Sequence, residues 1–507
     1  MKTRTGGTDV LEAINRGDLV NKYLFGAKMN FIVFNPDEMR ADHLACYGHP
    51  FIKTPNFDRL ADEGVRFEQC HVQNTVCSPS RCSFMSGLYV HNTGHRSLWD
   101  LIKPWEPNLM KYLKNAGYDV AWYGKNDLLS FESLPESVTY SEDPAGEKMR
   151  QAKGDGSARF LSFLQEPYDS YANEHDHLLV KKGLEFLKCN HKKPFFLFLS
   201  TSQPHPPYSA PKEFYHLYEH SPVNLYRSKK NISWHKENRK YRRLNELDDE
   251  TFNILNRMYC AQISYCDHLL GQIMNACREN GLDENTAIIT FSDHGDYAGD
   301  YGMVEKWPNA MEDVLTRVPL IIRVPGNKKK HVVKEQIELF DFMPTVLELA
   351  GVPCTHHHFA HSLVSCLYGA AGSSDRLVFC EGGYDPVQDD EAFEGNPAFN
   401  EGLRDTSNIY YYKAKIQLES PETVCRTVMV RSMSHKLIRR SSGENELYAL
   451  KEDPGENFNR YHDPALAKIQ KNLEIALLDW YLKTSDTINT RRDDRGKNGF
   501  EIKFPGQ

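Results

Sequence analysis

Short apolar runs separated by helical periodicity constrain this chain more than any other feature. The runs at 31–34, 119–123, 195–199, 287–291 and 320–324 are rich in aromatic and β-branched residues. Uninterrupted apolar stretches of that length mark strands buried on both faces, as in a parallel sheet. Helical patterns lie between them. The clearest follows Asp248 and Asp249, with Phe252, Leu255, Tyr259, Ile263, Cys266, Leu270 and Ile273 at three- and four-residue steps, the apolar stripe of a capped helix. The alternation predicts an α/β domain whose mostly parallel sheet is sandwiched by helices. Ligands of such sheets sit beyond the carboxyl ends of the strands, so the polar residues just after each run are where chemistry is expected.

A chain of 507 residues exceeds what one hydrophobic core supports, so a large domain and a smaller one are expected. Residues 1–30 read as an N-terminal extension, 31–370 as the large domain and 371–507 as a smaller C-terminal α+β domain. The composition turns to Gly, Ala and Ser at 369–375, and a polar insert at 384–420 is expected to be a long surface loop. Strand-like segments at 427–431, 436–439 and 446–450 and an amphipathic pattern at 466–482 predict a small antiparallel sheet with a helix. The basic tail at 491–497 reads as a solvated terminus.

Net charge is −8, so no global basic field recruits nucleic acid or an anionic membrane, and an anionic substrate must be held by a local cluster. No apolar run approaches the ~20 residues that span a bilayer. Residues 1–30 lack the basic start, apolar stretch and cleavage site of a secretory leader. The twelve cysteines include no C-x-x-C pair, which favours reduced thiols and a cytoplasmic location. Nothing in the residues sets an oligomeric state.

The strongest chemical signal is Cys77-Ser78-Pro79-Ser80-Arg81, closed by Ser86-Gly87. Pro79 suits the first turn of a helix because it has no amide hydrogen to waste there. Cys77 then stands at the helix N-terminus, where free amides favour an anion, and Arg81 adds a positive charge one turn in. Asp37-Glu38 follows the first strand and Asp293-His294-Gly295 follows the fourth, both well placed for a hard cation with oxygen ligands. Lys125 follows Tyr123-Gly124, His205 lies in Gln203-Pro204-His205-Pro206-Pro207, and Lys306 precedes Trp307. A surface lysine is ordinarily just solvated, and an acidic turn or a histidine between prolines can be purely structural; here the signals come as an ordered set.

Together, in this order and spacing, these motifs resemble the type I, formylglycine-dependent sulfatases of the alkaline phosphatase superfamily. The resemblance implies an alkaline-phosphatase-like mixed sheet. It also implies that a maturation enzyme oxidises Cys77 to formylglycine, and that Asp37, Asp293, His294 and the oxidised residue 77 bind one cation. Calcium is expected first, with magnesium or manganese as alternatives. Arg81, Lys125 and Lys306 would neutralise sulfate and His205 would protonate the leaving alcohol. The His356-His357-His358 run with His361 reads as a loop rather than a metal site.

Three departures stand out. Met85 and Ser86 replace the usual Leu and Thr, both mild changes. Glu38 replaces the usual Asp, which leaves its coordination open. Asp127 replaces a histidine of the family's Gly-Lys-x-His pattern; a base, a contact to a substrate hydroxyl or cation, and a side chain turned away are all open to it. The expected substrate is a sulfated glycan or small molecule. The alternatives are a phosphonate monoester or phosphodiester hydrolase, whose relatives lack the lysine matching Lys125, and a non-catalytic binder of sulfated ligands.

Overall fold

The computed structural model describes residues 28–142, 163–221, 227–327, 330–385 and 411–486. Residues 1–27 and the basic tail at 491–497 lie outside them. Nine strands form one sheet: β1 (Asn30–Asp37), β2 (Val65–His71), β3 (Asp119–Gly124), β4 (Tyr140–Glu142), β5 (Phe195–Pro204), β6 (Thr286–Phe291), β7 (Arg317–Val318), β8 (Leu320–Arg323) and β9 (His331–Glu338). Their order is β4-β3-β5-β1-β6-β8-β2-β7, with β9 also paired to β2. The predicted runs at 31–34, 119–123, 195–199 and 287–291 are four adjacent parallel strands, β3, β5, β1 and β6. The run at 320–324 is a strand but not a parallel one, since β8 lies antiparallel to both β6 and β2. A run buried on both faces reports burial, and its direction is set by connections that hydropathy does not encode.

Alternation along the central strands splits the interior into two layers. Phe31 and Val33 of β1 join Phe196, Phe198, Ala287 and Ile289 on one face, under the helices Cys77–Ser86 and Phe342–Ala350. Ile32 and Phe34 join Leu197, Leu199 and Ile288 on the other, under His175–Leu187 and Asp249–Glu279. Asp248 caps the last of these, its carboxylate accepting the Thr251 N–H at 2.9 Å. Among the described residues, no helix is long and apolar enough to cross a membrane.

Beyond the main sheet, β10 (Val378–Gly382), β11 (Thr427–Arg431), β12 (His435–Arg440) and β13 (Glu446–Ala449) form a four-stranded antiparallel sheet. The helix Ala467–Thr484 packs on it, with Trp480 stacked on Phe379 at 4.9 Å. Val430, Leu437, Leu447 and Trp480 continue the core of the large sheet. Ion pairs cross the same seam from Arg431 and Lys436 to Asp313, at 3.0 and 2.5 Å, and Lys436 also meets Glu456 of its own region at 2.6 Å. Of the insert expected to be a surface loop, 386–410 fall outside the described residues. Tyr411–Glu419, however, is a helix, and its Ile416 is buried with Trp234 and Trp307. Its polar residues masked a short apolar face that only packing reveals.

Candidate active site

The four parallel strands deliver their chemistry to one edge. Asp37 ends β1, Lys125 follows β3, His205 follows β5, and Asp293 and His294 follow β6. The helix carrying Cys77 starts at that residue, so the thiol sits in its first turn. Asp37, Cys77, Asp293 and His294 are all buried and offer donor atoms within 4.8 Å of one another. The Cys77 Sγ lies 3.1 Å from His294 Nε2 and 3.6 Å from Asp37 Oδ1.

This donor set fits a divalent cation. His294 Nδ1 donates to the Gly295 carbonyl at 2.9 Å, which leaves the Nε2 lone pair facing the cluster, the orientation a ligating imidazole needs. Two carboxylates of the right hardness stand opposite it. Arg81 and Lys125 lean on the same carboxylates: Arg81 Nε donates to Asp293 Oδ2 at 2.8 Å, and Lys125 Nζ hydrogen-bonds Asp37. Burial alone raises the Asp37 carboxyl, but the charges of Lys125 and Arg81 outweigh it and hold it well below the usual carboxylate range. The Cys77 thiol is pushed well up, first by burial and then by Asp37, so as an unmodified thiol it is a poor nucleophile.

Glu38 has a different role from Asp37. It stands outside the four-donor cluster, and its Oε2 accepts Lys306 Nζ at 2.8 Å. Its backbone takes the left-handed conformation (φ 68°), secured by the Asp293 carboxylate on its N–H and the Tyr259 hydroxyl on its carbonyl. Burial raises its carboxyl to about 8, with Lys306 opposing. Lys306 also donates to His205 Nε2 at 2.6 Å, while His205 Nδ1 donates to the Pro206 carbonyl. Burial, Lys306 and Lys125 drive the His205 imidazole well below its ordinary value, so it stands neutral in the free site.

Asp127 does not turn away: its Oδ2 lies 2.8 Å from Lys125 Nζ, with the side chain 23 % exposed. Arg81 is enclosed, with Nη1 donating to Ser200 Oγ at 2.6 Å and Nη2 left without a hydrogen-bond partner among the described residues. A buried guanidinium with one unspent donor is suited to an anion. Ser200, Tyr259 and Ser292 belong to the site and escaped sequence reasoning. Ser292 Oγ accepts the Met39 N–H and donates to the Pro36 carbonyl, tying β6 to the turn after β1. Its signal lay inside the Ser292-Asp293-His294 motif, whereas Tyr259 read only as part of an apolar helix face.

The segment after Lys306 is gripped by the C-terminal region. Trp307 Nε1 donates to the Thr423 carbonyl, Arg440 Nη1 to the Asn309 carbonyl and Lys436 Nζ to the Met311 carbonyl. The histidine run holds a loop: His356 Nε2 donates to the Ser86 carbonyl and Nδ1 meets the Tyr112 hydroxyl. A second buried group, His43, His49 and Cys260, suits packing better than a metal. His49 Nδ1 accepts the Ile52 N–H, so in the neutral ring Nε2 carries the proton and has no lone pair to give.

Comparison with known proteins agrees with this geometry. The family model described as Sulfatase matches residues 29–352. An arylsulfatase of Clostridium perfringens is 28 % identical over 366 residues, covering 64 % of this chain and 75 % of its own. An N-acetylglucosamine-6-O-sulfatase of Bacteroides thetaiotaomicron is 24 % identical over 514 residues, covering 88 % and 84 %. The solved phosphonate monoester hydrolase of Agrobacterium radiobacter shares the fold, with a TM-score of 0.72 at 21 % identity over 90 % of this chain and 96 % of that one. With the strand-end carboxylates, the cysteine-headed helix and the family match covering the same stretch of sequence, this chain belongs to the sulfatase family, the hydrolases of sulfuric esters.

Proposed function

We propose that this chain hydrolyses a sulfate ester carried by a carbohydrate or small organic alcohol, using a formylglycine formed by oxidation of Cys77 and a divalent cation, calcium first. The observation that carries the reading is the convergence of Asp37, Cys77, Asp293 and His294 within 4.8 Å. Those residues would hold the cation. When bound, it supplies positive charge to the sulfate and acidity to the hydroxyl presented at the matured position 77.

The remaining steps fall to this chain's own side chains. Arg81, Lys125 and Lys306 neutralise the sulfate oxygens as charge develops. The Arg81 Nη2 group has a donor to spare for this. Lys306 donates to His205 Nε2 across 2.6 Å, and the proton given to the departing alcohol comes from this pair, a contribution of about 10²–10⁴-fold. The Pro206 carbonyl fixes the ring so that Nε2 faces the reaction.

The competing reading is a phosphonate monoester or phosphodiester hydrolase, the named activity of one structural neighbour. Lys125, against Asp37 and 3.8 Å from Cys77 Sγ, favours the sulfate ester. The test is protein co-expressed with a sulfatase-maturation enzyme, with the mass of the Cys77 peptide read for aldehyde or thiol. Aryl sulfate, sugar sulfates, a phosphodiester and a phosphonate monoester are then assayed side by side. Sulfate hydrolysis that needs the aldehyde and is lost on chelation is expected; a higher kcat/KM for the phosphonate monoester overturns it. Cys77→Ala should lose steady-state turnover entirely.

A further inference from the structure

We propose that Trp99 and Asp127 form the subsite for the alcohol half of the substrate. They select a sulfated sugar ring that carries a free hydroxyl or ammonium group beside the ester, and reject one with a second sulfate there. The inference rests on the sulfatase reading above.

The placement comes from how the chain around Trp99 is pinned. On one side Ser78 Oγ donates to the Leu98 carbonyl at 3.4 Å, and Ser78 is the residue after Cys77. On the other side Ile102 N donates to the Leu128 carbonyl at 2.9 Å, and Leu128 is the residue after Asp127. Between these anchors the Cys82 thiol reaches the carbonyls of both Asp100 and Leu128. The backbone on either side of Trp99 is therefore tied to the nucleophile's helix and to the residue after Asp127. Leu98 packs inward against the cluster around Val76 and Tyr297, while Trp99 is 54 % exposed. An aromatic face left in water near the nucleophile's helix is suited to the C–H face of a sugar ring, whose hydroxyl edges must then find polar partners.

Asp127 supplies such a partner. Its carboxylate pairs with Lys125, and Lys125 in turn contacts Asp37 and lies 3.8 Å from Cys77 Sγ. Asp127 is thus one ammonium group away from where the sulfur must sit, which is the reach of a substituent on the neighbouring ring carbon. An ionised carboxylate only accepts hydrogen bonds, so a hydroxyl or ammonium is welcome and a sulfate is repelled. The site's described cations are committed elsewhere: Arg81 and Lys306 to the sulfate being cleaved, and Lys125 to that sulfate and to the carboxylates of Asp37 and Asp127. At a few ångströms in a half-screened cleft, such a like-charge contact is worth about tenfold or more in selectivity.

The experiment uses the matured protein and three probes: ethyl sulfate, a methyl glycoside monosulfate, and the same glycoside with a second sulfate on the adjacent carbon. The wild type should favour the monosulfate over the disulfate by about tenfold in kcat/KM. Asp127→Asn should bring that ratio close to one, a readout in which any general loss of rate cancels. Trp99→Ala should lower the ratio of glycoside to ethyl sulfate by about tenfold, and Trp99→Tyr should keep it. A wild type that prefers the disulfate, or ratios unmoved by both variants, overturns the proposal while leaving the sulfatase reading intact. Failure of the matured protein to cleave any sulfate ester removes that reading and this inference with it.

Discussion

Arg81 touches three different parts of the site through one planar group: Asp293 through Nε, Ser200 through Nη1 and Asp37 across 3.4 Å from Nη2. A lysine cannot reproduce that fork. Arg81→Lys is therefore expected to lower kcat/KM by about 10²-fold, read by steady-state kinetics, with metal content measured alongside. Glu38→Gln makes the opposite point. Because Glu38 faces Lys306 and not the four donors, the variant should keep its metal stoichiometry by elemental analysis while kcat falls, and loss of the ion would return Glu38 to the ligand set. Asp37, Lys125, His205, Asp293 and Cys77 were legible because each ends or follows a buried strand or opens a helix, where the backbone leaves little choice of direction. Lys306, by contrast, lies in the loop between Gly302 and Asp313 and was legible only through its motif. Asp127 was not: nothing in Gly-Lys-Asn-Asp says that its carboxylate folds back on Lys125, which depends on the turn closing at Leu128.

At the scale of elements, the junction between β3 and Lys125 leaves no room for a side chain. Gly124 has φ +103°, and a Cβ there would lie 2.2 Å from the Ser200 carbonyl oxygen, on the strand that leads to His205. Gly124→Ala combines a strained backbone with a clash against main chain, and should cost about 3 kcal/mol in a denaturant titration. It should also disturb Lys125 more than His294. The strands of the centre were readable for a reason that also explains why β2 and β9, among those missed, were not. β1, β5 and β6 each carry an unbroken apolar stretch because both faces are covered there, whereas β2 (VRFEQCH) and β9 (HVVKEQIE) mix charges into a half-covered pair. The antiparallel setting of β8 was likewise invisible, because burial is all that its Leu-Ile-Ile reports.

The whole molecule is joined by a seam in which buried charges answer one another across the two sheets. Glu338 at the end of β9 accepts the Phe379 N–H of β10 and the Tyr89 hydroxyl, and shares Arg376 with Asp341. Burial, opposed by Arg376, raises its carboxyl from 4.5 to about 7. The folded state thus holds a proton that the unfolded chain has released. Stability should fall as pH rises from about 4.5 to about 7, by up to roughly 3 kcal/mol. Glu338→Gln should flatten that slope in denaturant midpoints taken at pH 5 and pH 8, and an unchanged slope would remove Glu338 as its source. The same seam reaches the chemistry. Arg440, Lys436 and the Thr423 carbonyl hold Asn309, Met311 and Trp307, the residues that follow Lys306. On the proposed reading, the last strands therefore set where Lys306 stands, and grafting another relative's strands there is expected to shift kcat without replacing any residue of the site.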